Sequence, residues 1–143
     1  MKHNRLYGLR EIDYQIAFAV HSSRYLLEYR LDTRKSGVRV DVYDSKAKVL
    51  IELKNATRWY SGIGQLLYYH KLKPETSMCL ATVDEMLTFD KIELLSELDI
   101  SYIHLPNVKT LAKYAKVARI NSCSSIQATI TAVKTVVKPK KLR

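Results

Sequence analysis

Two adjacent segments with a period-two pattern constrain the fold of this chain most. In residues 38–43 apolar side chains alternate with polar or aromatic ones, and in residues 48–54 the apolar face of Val49, Ile51 and Leu53 alternates with Leu50, Glu52 and Lys54. A period of two is typical of β-strands with one face in a core. The polar stretch 44–47 lies between the two segments and predicts a short turn. The sequence therefore predicts two neighbouring antiparallel strands at this point.

The alternation also predicts which side chains share a face of these strands. Val40 is expected on one face of the first strand, with Asp41 and Tyr43 on the other. In the second strand Glu52 and Lys54 are expected side by side, and a short hairpin brings Asp41 within reach of both. A Glu-x-Lys is often only a solvent-facing ion pair. Here the strand is otherwise apolar, where charges are unfavourable unless they are paired or used in function.

The rest of the chain alternates between helical and strand patterns. Helices are predicted over 9–21, 60–73, 84–98 and 108–118, and further strands over 24–31, 77–83 and 100–105; residues 121–137 are also expected to be helical. In this order the first three strands are expected to be antiparallel and the last two to add in parallel. The predicted fold class is α/β, with a mixed central β-sheet flanked by helices.

Positive charge is concentrated in the last quarter of the chain. Residues 1–106 carry 15 Lys and Arg against 14 acidic residues, whereas residues 107–143 carry nine Lys and Arg and no acid. A segment of one charge sign repels itself unless an anion lies nearby, and nucleic acid is the commonest such partner. A solvated tail and an acidic membrane surface are the alternatives. We expect a core over 1–106 and a basic helical extension over 107–143, together forming one domain.

Five side chains on the predicted strands and the following helix fit the requirements of phosphodiester hydrolysis. Carboxylates bind Mg²⁺, and Asp41 and Glu52 can supply them. A cation stabilises charge that builds on the phosphate, and Lys54 can serve as this point charge. Gln65 and Tyr69, at positions i and i+4 of the helix, can orient the water or the strand.

The same residues carry a resemblance to a known family. Gly37-x-x-x-Asp41, Ile51-Glu52-Leu53-Lys54-Asn55 and Gln65-x-x-x-Tyr69 resemble the motifs of the PD-(D/E)XK nuclease superfamily, in particular its RecB-like pattern. The resemblance covers residues 11–105 and implies a restriction-endonuclease-like αβββαβ core. The residue before the aspartate is Val40, where many members have proline.

The resemblance implies a role for each matching residue. Asp41 and Glu52, with the Leu53 carbonyl, are implied as metal ligands, and Lys54 as the catalytic lysine. Gln65 and Tyr69 are implied to act near the substrate. Many members have a further acidic ligand on the first helix: Glu11 is the preferred candidate and Glu28 the alternative. The implied cofactor is Mg²⁺, for which Mn²⁺ can substitute.

Basic and aromatic residues around the site and on the extension are candidate nucleic-acid contacts. They are Arg34, Lys35, Arg39, Arg58, Trp59, Lys109, Lys113, Lys116 and Arg119. We expect phosphate contacts from the basic side chains and base stacking from the tryptophan.

The predicted function is a Mg²⁺-dependent DNA endonuclease, either a homing or restriction type or one that resolves Holliday junctions. A stand-alone RecB-like exonuclease ranks below these, and a catalytically inactive DNA-binding or scaffold member of the fold is the alternative. DNA is the expected partner, with a homodimer or higher homo-oligomer. No apolar run approaches the roughly 20 residues that span a bilayer, so no membrane partner is expected. The start of the chain lacks the pattern of a secretory signal, and the two cysteines suit a reduced intracellular protein, in the cytoplasm, nucleoid or nucleus.

Overall fold

The computed structural model describes residues 9–20, 23–31, 37–105, 108–122, 130–131 and 133–134. The elements in chain order are α1 (Glu11–Ala19), β1 (Tyr25–Arg30), β2 (Arg39–Asp44), β3 (Val49–Lys54), a 3-10 turn (Ala56–Arg58), α2 (Trp59–Leu72), β4 (Ser77–Thr82), α3 (Phe89–Glu97), β5 (Ile100–His104) and α4 (Val108–Ser122). The chain divides into two compact units, one from Met1–Ser22 with Asn107–Arg143 and the other from Ser23–Pro106.

The unit Ser23–Pro106 is built on a five-stranded sheet in the order β1-β2-β3-β4-β5. The strands β1, β2 and β3 pair antiparallel, and β4 and β5 add in parallel. The prediction of an α/β chain with a mixed sheet, in which three antiparallel strands are followed by two parallel additions, is confirmed. The assignment to a restriction-endonuclease-like core stays a prediction, as does the division of the chain at residue 106.

Helix α2 packs against β3 and β4, and α3 packs against β5. The hydrophobic cluster that these contacts bury comprises Val40, Tyr43, Leu50, Leu66, Tyr69, Met78, Leu80, Leu87, Leu95 and Ile100. Residues Met78 to Thr82 of β4 are all buried, as the continuous apolar run of this strand predicts. Burial also raises the pKa of the Cys79 thiol to about 12. Each fully buried leucine contributes roughly 1.5–3 kcal/mol to folding.

The helix predicted from residue 84 begins later, at Phe89, so its first turn was predicted wrongly. The Asp84 carboxylate accepts a hydrogen bond from the Ala56 N–H at 2.8 Å, which fixes Asp84 in a loop that contacts the 3-10 turn before α2. Thr88, with extended backbone angles, is the N-cap residue, and Asp90 supplies an acidic side chain in the first turn.

The predicted alternation of β2 is wrong at one position, Asp41. Strict alternation places Val40 and Tyr43 on opposite faces, yet both belong to the same hydrophobic cluster. The regular β2–β3 pairing ends one residue after Asp41, and carboxylate–backbone hydrogen bonds follow in its place. On the neighbouring strand, Glu28 has a positive φ of 49°. The irregular backbone therefore coincides with the acidic residues.

In the other unit α1 packs against α4, which continues to Ser122 rather than ending at residue 118. The Asp13 carboxylate is fully buried and receives two hydrogen bonds from the Arg119 guanidinium, at 2.9 and 3.2 Å. Most of the helix predicted over 121–137 lies outside the described residues. Within the described ranges, no helix combines the length and the apolar character that crossing a membrane requires.

Candidate functional site

Asp41 and Glu52 lie on adjacent strands and bind each other's backbone. The ladder between β2 and β3 ends at the pair Val42–Ile51. Beyond it, Glu52 Oε2 accepts the N–H of Asp41 at 3.0 Å, and Asp41 Oδ2 accepts the N–H of Leu53 at 2.9 Å. Asp41 is 8% exposed and Glu52 1% exposed. The structure therefore brings two buried carboxylates together where the strands stop pairing.

Lys54 accompanies this pair under helix α2. Its Nζ lies 3.9 Å from Glu52 Oε1, and its side chain is 13% exposed. The helix approaches closely because residue 62 is glycine: a Cβ there would lie 3.3 Å from Lys54 Cγ and 2.5 Å from Leu80 Cδ1. The Glu-x-Lys is therefore covered by α2, and the alternative of a solvent-facing ion pair does not describe it.

The donor set at this point fits a hard divalent cation. Carboxylate and carbonyl oxygens are the ligands of Mg²⁺, which commonly takes one or two protein carboxylates and keeps several waters. The Leu53 N–H points towards Asp41, and in a strand the N–H and C=O of one residue point to the same side. The Leu53 carbonyl is thus directed to the same side as the acids. Among the described residues no group of three or more His, Cys, Asp and Glu could hold a metal.

Gln65 and Tyr69 lie on α2, as predicted, and line an open cleft of about 680 Å³. Other residues that line it are Glu28, Val38, Arg39 and Tyr68. Gln65 Oε1 is buried and has no hydrogen-bond partner within the part of the chain that the structure describes. Tyr69 is only 8% exposed and packs in the hydrophobic cluster. The cleft therefore contains a buried polar atom that a ligand can satisfy.

The two candidates for a further acidic ligand lie in different units. Glu11 is the first residue of α1, in the unit that contains α4. Glu28 lies on β1, between the residues that pair with the two neighbours of Asp41. The sheet unit thus places Glu28 across from Asp41 and in the wall of the cleft. The preference for Glu11 stays a prediction.

The basic candidates of the sheet unit are partly described. Arg39 is exposed in the cleft, and Arg58 is exposed on the 3-10 turn that leads into α2. Arg34 and Lys35 lie outside the described residues. Exposed guanidinium groups beside a cleft are suited to phosphate contacts.

Trp59, at the start of α2, is half-buried rather than a free stacking surface. It packs against the hydrophobic cluster, and the Lys91 ammonium lies 5.6 Å from its ring centroid. This cation–π contact occupies one face of the indole. A base could stack on that face only if Lys91 moved.

The basic candidates of α4 differ from one another. Lys113 is exposed and Lys116 half-buried, whereas the side chain of Lys109 lies outside what the structure describes. Arg119 holds the buried Asp13 through two nitrogens. Its guanidinium therefore has a structural role within this unit, and its contact with nucleic acid stays a prediction.

The sequence interpretation did not single out the two glycines of α2. Gly62 permits the close approach to Lys54, and Gly64 has open space where a Cβ would lie. A signal for both was available. Two glycines within one helix are unfavourable by roughly 1 kcal/mol each relative to alanine, which indicates a packing or functional reason.

No protein-family model, no curated protein and no solved structure matches this chain. The interpretation of the site therefore rests on the chemistry of its own residues. That chemistry is two buried carboxylates, a neighbouring lysine and a cleft with an amide oxygen that has no partner in the described parts of the chain.

Proposed function

We propose that the protein is a Mg²⁺-dependent DNA endonuclease that hydrolyses phosphodiester bonds. The observation that carries the proposal is the exchange of carboxylate–backbone hydrogen bonds between Asp41 and the Glu52–Leu53 segment, with Lys54 beside Glu52. Two buried negative charges next to each other are unfavourable unless a cation offsets them. Their backbone hydrogen bonds fix the oxygens in place, so a metal would meet a preorganised pair.

Each residue then has a distinct role. Bound Mg²⁺ would supply Lewis-acid polarisation of the phosphate and a water of lowered pKa. Asp41, Glu52 and the Leu53 carbonyl would hold the ion, and Mn²⁺ could replace it. Lys54 places positive charge beside the phosphate oxygens, where negative charge increases during attack. The Gln65 amide and the Tyr69 hydroxyl can donate hydrogen bonds that orient the strand.

The partner in this proposal is DNA inside the cell. The acid-free segment 107–143 supports a polyanionic partner, because it carries nine Lys and Arg. One site cuts one strand, so cutting of both strands calls for a homodimer or a higher homo-oligomer. Sequence-specific duplex and four-way-junction DNA are both substrates that such an assembly could cut.

A DNA-binding or scaffold protein that does not cut is the second candidate. The observation in its favour is the low exposure of Glu52, which is 1%. In that case the two acids and Lys54 would stabilise the irregular end of the β2–β3 ladder and would serve no catalysis.

Cleavage of labelled DNA separates the two candidates. Linear duplex, nicked duplex and four-way-junction substrates are incubated with the wild type, Glu52→Gln and Lys54→Met in Mg²⁺, in Mn²⁺ and in EDTA. Glu75→Gln is the matched control, since Glu75 is an exposed acid that is ion-paired with Lys73 outside the site. We expect metal-dependent cutting by the wild type and the control, and a loss of at least a hundredfold in both site variants. Binding of DNA without cutting under every condition would contradict the nuclease and support the second candidate.

A further inference from the structure

The cleft beside the acids has the size and the lining of a site for one unit of a polymer. Its volume of about 680 Å³ falls within the range of small-ligand pockets. It lies along α2 and the start of β2, and Arg39 in its wall is two residues from Asp41. A ligand in this cleft would therefore contact the strand that carries Asp41, although Asp41 and Glu52 are not in the lining.

Tyr68 gives the cleft an aromatic surface. It is 53% exposed, although a tyrosine on a helix can usually bury its ring. Its ring centroid lies 6.3 Å from that of Tyr69, which is itself fixed in the hydrophobic cluster. A Cβ added at Gly64, one helical turn before Tyr68, would have no atom within 4 Å, so no side chain covers the helix surface there. A flat ring can lie against this surface without displacing a side chain.

The polar groups of the cleft favour the edge of a base over a phosphate. Glu28 contributes a carboxylate, which repels phosphate and accepts hydrogen bonds from amino groups. Gln65 contributes the buried oxygen that has no partner among the described residues. Adenine, cytosine and guanine carry an exocyclic amino group, and thymine does not. The exposed Arg39 is suited to the phosphate of the same nucleotide.

We propose that this cleft binds one unpaired nucleotide of a DNA strand, with its base stacked on Tyr68 and its amino group hydrogen-bonded to Glu28. The choice of DNA rests on the proposed function. A base inside a duplex cannot stack on a protein ring, so the site selects DNA with single-stranded nucleotides next to the cleavage position. The substrate class that follows is branched, gapped or flapped DNA rather than an uninterrupted duplex.

Binding in EDTA tests this proposal independently of cutting. Fluorescence anisotropy at one fixed salt concentration measures the affinity of the full chain for dye-labelled oligo-dA, oligo-dT and a duplex of the same length. The variants are Tyr68→Ala, Tyr68→Phe and Glu28→Gln. Tyr60→Ala is the matched control, because Tyr60 is an exposed tyrosine of the same helix, 64% exposed, that does not line the cleft. Thermal unfolding of each variant verifies that it folds.

We expect wild-type protein to bind oligo-dA more tightly than oligo-dT. Tyr68→Ala should weaken oligo-dA binding about tenfold, and Tyr68→Phe and Tyr60→Ala less than twofold, since stacking needs only the ring. Glu28→Gln should reduce the difference between oligo-dA and oligo-dT. Equal losses in Tyr68→Ala and Tyr60→Ala, or equal wild-type affinity for the two oligonucleotides, would overturn the proposal. Base-selective binding without any cutting would support the nucleotide site and contradict the nuclease activity. Cutting of DNA together with binding that does not depend on Tyr68 would support the nuclease activity and contradict the nucleotide site.

Discussion

Glu52 Oε2 accepts a hydrogen bond from the Asp41 N–H at 3.0 Å. In a regular sheet a backbone carbonyl would be the acceptor of such a backbone N–H. A side chain thus continues the hydrogen bonding of the β2–β3 ladder after the strands have separated. The consequence is that Glu52 has two functions that can be tested separately. It satisfies a buried donor, and it holds a negative charge beside Lys54.

Removal of the hydrogen-bond acceptor should destabilise the fold, and removal of the charge alone should do so less. Glu52→Ala leaves the Asp41 N–H without its acceptor, and an unsatisfied buried donor costs about 1–3 kcal/mol. Glu52→Gln keeps an acceptor oxygen and should unfold at a higher urea concentration than Glu52→Ala. Urea titrations followed by circular dichroism measure the difference. Equal midpoints for the two variants would mean that the hydrogen bond contributes nothing.

Alanine at the two glycines of α2 should have opposite effects. Gly62→Ala places a Cβ 2.5 Å from Cδ1 of the fully buried Leu80 and 3.3 Å from Lys54 Cγ, so it should lower stability by roughly 1–3 kcal/mol. Gly64→Ala meets no atom within 4 Å and should raise stability by about 0.5–1 kcal/mol. Thermal melts of the two variants and the wild type test the signs. A stabilising Gly62→Ala would contradict the close approach of helix and strand.

Substitutions of Arg119 and Lys113, both on α4, should affect different properties: the first should lower stability and the second should weaken nucleic-acid binding. Arg119→Gln leaves the fully buried Asp13 carboxylate without its charge partner, which should cost about 3–5 kcal/mol. Lys113 is exposed, so Lys113→Gln should leave stability within about 0.5 kcal/mol. If Lys113 contacts a phosphate, its loss should also reduce the salt slope of DNA binding by about one. Urea unfolding and salt-dependent anisotropy give the two readouts, and an Arg119→Gln protein as stable as the wild type would disprove the role of the ion pair.

Protonation of Asp44 should lower the free energy of unfolding at acidic pH. Burial raises the pKa of this carboxyl, but hydrogen bonds from Arg24 and from the N–H groups of Ala47 and Lys46 outweigh it, so the folded pKa lies below 3.8. A lowered folded pKa stabilises the fold at pH values above 3.8, and that contribution disappears as the pH falls through the folded value. Asp44→Asn should therefore flatten the pH dependence below about pH 4. Melting temperatures between pH 2 and 7 test this, and parallel curves for the two proteins would contradict it.

The strands and their order were predictable because period-two alternation reports one-sided burial directly, and β1 to β5 all form close to their predicted limits. The interruption at Asp41 was not predictable. It arises from hydrogen bonds between side chains and the backbone of another strand. The positive φ of Glu28 has no signal in the sequence either, because a positive φ is usually expected only at glycine. The start of α3 was missed for a similar reason, since Asp84 bonds to Ala56 far away in sequence.

The candidate site was partly predictable. The structure brings Asp41 to Glu52 and Lys54 beside Glu52. The period of two on β3 accounts for Glu52 and Lys54, whereas the position of Asp41 depends on the interrupted alternation of β2. The cleft was not foreseen. It depends on Gly64 and Tyr68, whose exposure follows from how α2 lies on the sheet and not from any motif. The catalytic and metal-binding roles themselves stay predictions.

The order of the strands in the sheet has a consequence for how the chain acquires its structure. Each strand pairs with the next one in sequence, so the sheet forms through short loop closures, which are fast. Asp13 and Arg119, in contrast, are 106 residues apart along the chain. A ribosome would release the whole sheet before it completed the segment that Asp13 needs. In pulse-labelled hydrogen exchange we accordingly expect the amides of β1 to β3 to be protected first. During synthesis, Asp13 of α1 has no Arg119 to pair with until α4 has been made.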